Sequence, residues 1–142
     1  MANVIPNAFK GELLSGTHNF ASGGNSFKLA LYTSNPYDTS STAYSTTNEV
    51  SASGGSNYTT TGLVLQNQSV TTGATSFVDF DDLTFSSATF TAAFGAIYND
   101  TNSDKLCGVL DFGGSKTATN GDFKIVFPAT GTPANAIISL AS

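Results

Sequence analysis

Two side chains in this sequence are candidates for nucleophile or general base, and each occurs once: His18 and Cys107. With one histidine, one cysteine and no arginine, the chain cannot offer two imidazoles to a metal or a guanidinium to an oxyanion. A serine triad built on His18 would need its serine on a sharp Gly-x-Ser-x-Gly turn, and that motif does not occur. His18, in Gly-Thr-His-Asn, reads as a polar loop or cap residue. Cys107, inside the apolar run Leu106 to Leu110, reads as a small buried hydrophobe. The expectation is a protein that is not an enzyme and uses no cofactor.

Carboxylates supply the remaining chemistry. Asp79, Asp81 and Asp82 form the densest charge in the chain, and in an extended strand Asp79 and Asp81 share one face, as a hard cation would require. Solvent-facing positions of a half-buried strand explain them as well. Nothing nearby supplies the ~6–8 oxygens that calcium takes. A second set, Asp100, Asn102 and Asp104, has the spacing of the opening of a calcium loop, with Asp111 at the twelfth position. Lys105 then stands where the sharp turn needs glycine, and a strand is expected where a helix should leave, so a polar hairpin tip is the better reading. Asp79, Asp81, Asp100, Asn102 and Asp104 are therefore weak metal candidates. The expected ligand set is none.

Aromatic residues raise a different possibility. Sugar sites stack rings on exposed aromatics. Tryptophan is absent, but Tyr32, Tyr37, Tyr44 and Tyr58 lie in or near the polar stretch 34–57 and keep a carbohydrate-binding module in play. Tyr37 and Tyr44 serve equally well as anchors at a protein interface, because tyrosine offers a large contact area and a hydroxyl at low entropic cost. The stretch itself is too polar for core. It is expected to be a loop, functional or mobile, or else a hairpin with weak edge strands.

The elements that would position these residues follow from periodicity. Pro6 suits a first helical turn, Ile5, Phe9 and Leu13 recur every four residues, and Gly16 could close a helix of about two to three turns. From residue 26 the period becomes two: Phe27, Leu29 and Leu31 alternate with Lys28, Ala30 and Tyr32. Strands are expected there, at 58–66, 75–80, 88–98, 106–112, 123–127 and 135–141, with turns at Gly54-Gly55, 99–104, Gly113-Gly114 and Asn120-Gly121. About seven to eight short strands suit an all-β fold, a two-sheet sandwich or jelly roll with a short N-terminal helix. The chain divides into a helical segment and linker over 1–25 and a β-sandwich over 26–142.

At 142 residues one domain is expected. Charged residues make up 11%, less than half the ~25% of ordinary soluble chains, and 18 serines and 20 threonines take their place. The net charge is −5 and the five lysines are scattered, which speaks against nucleic acid and against an anionic membrane surface as partners. No apolar run approaches the ~18 residues of a spanning helix, and the first residues lack the pattern of a secretory signal, so synthesis in the cytoplasm is expected.

Taken together, several segments resemble small all-β virion proteins of tailed bacteriophages. The resemblance is carried by Met1 to Lys10 with Glu12-Leu13-Leu14, by Phe27 to Thr33, by Asn48-Glu49-Val50, by Phe77 to Phe80, by Ala96 to Asn99, and by Leu110 to Gly113 with Gly121 to Pro128. It implies a copy-rich structural role in the virion after synthesis in the host cytoplasm. That role would be a head decoration or cement protein contacting the major capsid protein, other virion proteins and copies of itself; a tail-associated role is the rival. Val4, Ile5, Phe9, Leu13 and Leu14 are five large apolar side chains on a segment too short to be a stable helix alone. With the Gly-rich linker 21–25 behind them, they are expected to reach out to a neighbouring protein. The competing reading places the helix against one open end of its own sandwich.

Overall fold

The computed structural model describes residues 3–128 and 136–141. One helix, α1 (Asn7–Leu14), precedes seven strands: β1 (Phe27–Tyr32), β2 (Leu63–Val64), β3 (Ser69–Thr71), β4 (Thr75–Asp79), β5 (Leu83–Asn99), β6 (Lys105–Ile125) and β7 (Ile138–Ala141). Two antiparallel sheets form, ordered β2-β1-β5-β6 and β3-β4-β7. The fold is thus the expected all-β sandwich with a short N-terminal helix. The first residue of the expected strand 135–141 lies outside the described residues.

The helix begins at Pro6, whose fixed φ of −62° suits the entry and whose missing N–H would have had no helical partner. It ends where Gly16, at φ 77°, lets its N–H reach the Leu13 carbonyl while Thr17 N–H reaches Glu12. Phe9 is only 1% exposed and sits in the main core with Phe20 and Phe27, and Leu13 packs against the same cluster. Val4 exchanges backbone hydrogen bonds with Val109 of β6. The expectation of an outreaching arm is therefore corrected for Val4, Phe9 and Leu13. Burying a large apolar side chain is worth roughly 1.5–3 kcal/mol, and this sandwich has an open flank that α1 fills. Ile5 and Leu14 remain exposed.

The linker is likewise not loose. Asn25 Oδ1 accepts hydrogen bonds from Asn19 N–H and from the side chains of Asn99 and Asn102, and Gln68 Nε2 donates to the carbonyls of Ala21 and Asn25. Phe9 and Phe20, with Leu13 packed against them, share the main core with the sheets.

β1 and the adjoining half of β5 are buried on both faces. Phe27, Leu29, Leu31 and Ile97 look into the main core, while Ala30, Tyr32, Ala96 and Tyr98 belong to a second cluster on the other face with Leu106 and Val109. The cover of that second face is the polar stretch after β1, described below. Two expected strands, 106–112 and 123–127, are one: β6 runs from Lys105 to Ile125 against β5. The turn signals between them became irregularities. At Gly113-Gly114, both at positive φ, four residues of β6 stand opposite Ala93, and at Asn120 two stand opposite Thr89. The first irregularity reverses the faces, so Phe90 enters the main core whereas Phe94, of the same parity, packs on the second. Gly62, at φ 76°, lies against the Leu29 carbonyl with no space for a Cβ, which lets the chain press onto β1 before β2.

Candidate functional site

Two polar clusters gather the histidine, the cysteine and the tyrosines singled out in the sequence. The first surrounds Glu49. Its Oε2 accepts the Tyr44 hydroxyl at 2.5 Å, and its Oε1 accepts the Tyr58 hydroxyl at 2.7 Å and the Thr61 N–H at 2.8 Å. The Tyr58 oxygen in turn accepts the N–H of Leu31 on β1. Beside it the Tyr32 and Tyr37 hydroxyls lie 2.7 Å apart and both reach the Ser45 carbonyl, while Ser45 N–H donates to the Tyr37 oxygen. Tyr98 donates to the Thr61 carbonyl at 2.6 Å, and its ring stacks on Tyr44 with centroids 4.7 Å apart.

All five tyrosines therefore face inward: Tyr32, Tyr37, Tyr44 and Tyr98 hold the polar stretch on the back of the large sheet, while Tyr58 puts its ring into the main core against Phe85 and Phe90 and ties the stretch to the β1 edge through Leu31 N–H. This corrects the reading of Tyr37 and Tyr44 as interface anchors or sugar platforms. Tyr37 is buried, Tyr44 is half-buried with one ring face on Tyr98, and Tyr32 and Tyr58 are buried. The stretch is a loop, as expected, joined to the sheet by two isolated backbone bridges, Tyr32 with Glu49 and Ala43 with Lys105, and it forms no strands of its own. Hydroxyls at the rim of aromatic rings let a polar segment cover an apolar sheet face, because the rings bury area while every hydroxyl finds a partner. Burial pushes the Tyr44 and Tyr58 phenols well above their ordinary value, and the Glu49 carboxylate adds to the rise.

The second cluster joins α1, the linker and the β5–β6 turn. His18 Nε2 lies 2.7 Å from Glu12 Oε2, and Lys105 Nζ is 2.9 Å from Glu12 Oε1. On the other side of the ring, Asn99 Nδ2 lies 2.9 Å from His18 Nδ1, and Cys107 Sγ is 3.8 Å from the same nitrogen. A carboxylate, an imidazole and a thiol in sequence have the composition of a nucleophilic triad. The geometry removes that function. Nδ1 already accepts the Asn99 amide, Cys107 is fully buried, and burial together with the Glu12 charge pushes its thiol far above the ordinary value, away from the reactive thiolate. His18 is a buried connector, where a loop or cap residue was expected. Its partners come from residues 12, 99 and 107, which no local pattern joins.

Asp79, Asp81 and Asp82 line one shallow depression with Phe127 and Pro128, but the acidic side chains are engaged separately. Asp81 accepts from Asn67 Nδ2, Asp82 pairs with Lys124 and accepts Phe127 N–H, and Asp100 pairs with Lys28. Asp79 stands on β4 opposite Ser69. In the would-be calcium loop, Asn102 turns its amide inward to the Thr17 carbonyl and Asn25, Asp104 takes φ 54° and offers its carbonyl to Tyr44 N–H, and Asp111 is on β6 accepting Gly113 N–H. The turn is the tip of the β5–β6 hairpin. Among the described residues, no three His, Cys, Asp or Glu side chains come together as a metal would need, and no helix is long and apolar enough to cross a membrane.

Hydroxyls and apolar groups face outward beside a few charges such as Asp38, Lys116 and Asp122. On the β5–β6 hairpin the Thr91 and Thr117 hydroxyls pair across the strands at 2.7 Å on the exposed face. Ile5, Leu14, Val64, Val70, Val126 and Leu140 are the exposed large apolar side chains among the described residues. Compared with known proteins, the chain matches no protein-family model, no curated protein and no solved structure.

Proposed function

We propose that this chain is a non-enzymatic structural protein of a tailed-phage virion, a head decoration or cement protein that binds the major capsid protein and copies of itself. The observation that carries the reading is the division of labour among its side chains. The histidine, the cysteine and every tyrosine are spent inside on holding the helix and the 33–62 cover in place. The outer surface offers hydroxyls, few charges and some large apolar groups. Such a surface suits contact with other protein, and the resemblance of the sequence segments to small phage virion proteins supports the setting. A stable specific interface buries about 1,200–2,000 Å² in total, and a domain of this size has room for more than one.

The mechanism would be lateral clamping. A domain seated across adjacent capsomers adds contacts that internal genome pressure must break before the shell opens. Its own rigidity, set by the two internal networks, transmits that load without local yielding. Purified particles test the reading. Hundreds of copies per particle, and genome release at lower temperature from particles lacking the chain, are the expected results. Equal heat resistance of stripped and complete particles overturns the cement role, and a copy number of tens moves the chain to the tail.

A further inference from the structure

Among the described residues, β2 and β6 are the outer strands of the large sheet, and β3 and β7 those of the small one. β2, β3 and β7 span two to four residues, whereas β6 has 21. Val4 pairs with the outer edge of β6 at Val109, and the Asn3 side chain accepts the Asp111 N–H. Past Asp111 no described segment pairs with that edge. Over residues 122–127 the exposed side chains are Asp122, Lys124 and Val126, and the buried ones are Phe123, Ile125 and Phe127. Asp122 and Lys124 thus stand on the outer face of the sheet. The Phe127 N–H points to the β5 side, where it meets Asp82 Oδ1. Strand alternation then turns the N–H and C=O groups of Asp122 and Lys124 away from β5, toward the free edge. A groove of about 600 Å³ opens along this edge, with Ala118, Phe123 and Ile125 in its wall.

We infer that two copies of the chain join along this edge, β6 to β6, as an antiparallel two-fold pair centred on Phe123, so that the two large sheets become one. The inference names the contact for the self-association in the structural reading above, and it rests on that reading for its biological role. Register selects a second copy as the occupant. With Phe123 on the two-fold axis, Asp122 of each copy stands directly opposite Lys124 of the other, on the same face of the sheet. The outward N–H and C=O groups of these two residues then meet in hydrogen-bonded pairs. Each copy supplies both halves of the ion pair and of the ladder, which is the condition for a closed isologous contact. Centring on Asp122 or on Lys124 would instead set like charges against each other. Lys124 already pairs with Asp82 of its own chain at 3.0 Å, yet its side chain is 53% exposed and can take a second carboxylate. Copies of net −5 repel over most of their surface, but residues 115–127 hold two of the five lysines and a single aspartate, so the repulsion is least here. β6 contains no proline to block the ladder. The bulge at Asn120 and the strand end at Ile125 confine that ladder to 121–125, a contact that forms at high protein concentration.

The test uses the full chain. Mass measured by light scattering and sedimentation over a concentration series reaching about 1 mM is expected to rise from one copy to two and stop there. Asp122→Lys sets lysines against each other across the axis, and Lys124→Asp does the same with aspartates. Each is expected to raise the dimer dissociation constant by about tenfold or more. Mixed together, the two variants bring lysine opposite aspartate at both positions and are expected to form a heterodimer close to the parent in strength, a recovery that misfolded chains could not give. Leu14→Lys, at an exposed position on α1, leaves dimerisation unchanged. A chain that stays monomeric throughout, growth beyond two copies, a dimer indifferent to both charge reversals, or a mixture as weak as its components each overturns the inference. So does a monomeric chain whose binding to particles is lost with Asp122→Lys, because the edge would then belong to the capsid protein. Particle stoichiometry and heat resistance read the virion role separately: a dimer that joins no particle upholds the contact and removes the role.

Discussion

His18 and Asn99, 81 residues apart in the chain, meet in the interior with Nδ1 and Nδ2 2.9 Å apart. The direction of this bond is set from outside the pair. Asn99 Oδ1 accepts the N–H groups of Thr101 and Asn102, so its amide nitrogen must be the end that faces His18 and Asn25. Nδ1 of His18 is then the bare acceptor, and Nε2 carries the hydrogen toward Glu12.

Asn99→Asp should therefore be destabilising although it is nearly isosteric. A carboxylate still accepts from Thr101 and Asn102 but has no hydrogen for His18 Nδ1 or Asn25 Oδ1. Leaving buried polar atoms opposed costs on the order of 2–3 kcal/mol. Urea unfolding of the two chains measures it, and coincident midpoints would refute the assigned direction.

Glu49 is the acceptor on which the 33–62 cover depends. Glu49→Ala strands the Tyr44 and Tyr58 hydroxyls and the Thr61 N–H together, and a loss of about 2–4 kcal/mol is expected. Glu49→Gln keeps one oxygen for Tyr58 and Thr61, so its loss should be the smaller. Hydrogen exchange of the amides of Leu31 and Ser45 should accelerate more in the alanine chain than in the glutamine chain; the reverse order would contradict the network.

Acid should loosen α1 through Glu12. Burial alone would raise its carboxyl, but the hydrogen bonds from His18 and Lys105 and the Lys105 charge outweigh it and hold the group below its ordinary value of 4.5. The unfolded chain then binds the proton first, so the stabilisation is present above pH 4.5 and is lost as pH falls through the lower folded value. Glu12→Gln should be less stable than the parent at neutral pH and should show a flatter decline below pH 4.5. Parallel acid-unfolding curves would show that Glu12 contributes nothing.

At the alkaline end the tyrosines work in the opposite sense. All five phenols are raised above 10.0, first by burial. The unfolded chain loses those protons near pH 10 while the folded one retains them, so stability is full below that value and falls as pH rises beyond it. Phenolate absorbance should therefore appear in one cooperative step together with unfolding. Gradual titration of a folded chain would mean that the rings are accessible.

Local pattern was sufficient to read part of this molecule. Alternation in Phe27 to Tyr32, the helical spacing of Phe9 and Leu13, and the polar tip at 99–104 depend only on near neighbours, and the sandwich class follows from them. The scarcity of histidine, cysteine and arginine equally defined which chemistries the chain lacks the side chains to perform. Tertiary structure decided the rest, because the deciding energies come from partners distant in sequence. Gly113-Gly114 and Asn120-Gly121 have the composition of turns, yet β5 supplies a ladder along which positive-φ residues are absorbed as bulges. Phe9 could have faced a neighbour until the sandwich flank offered it Phe20 and Phe27. The tyrosines of the polar stretch looked outward in a linear reading, since a hydroxylated segment has no local signal for burial. Only the assembled back face of β1 and β5, with Glu49, Ser45 and Thr61 to receive every hydroxyl, makes covering it more favourable than solvation.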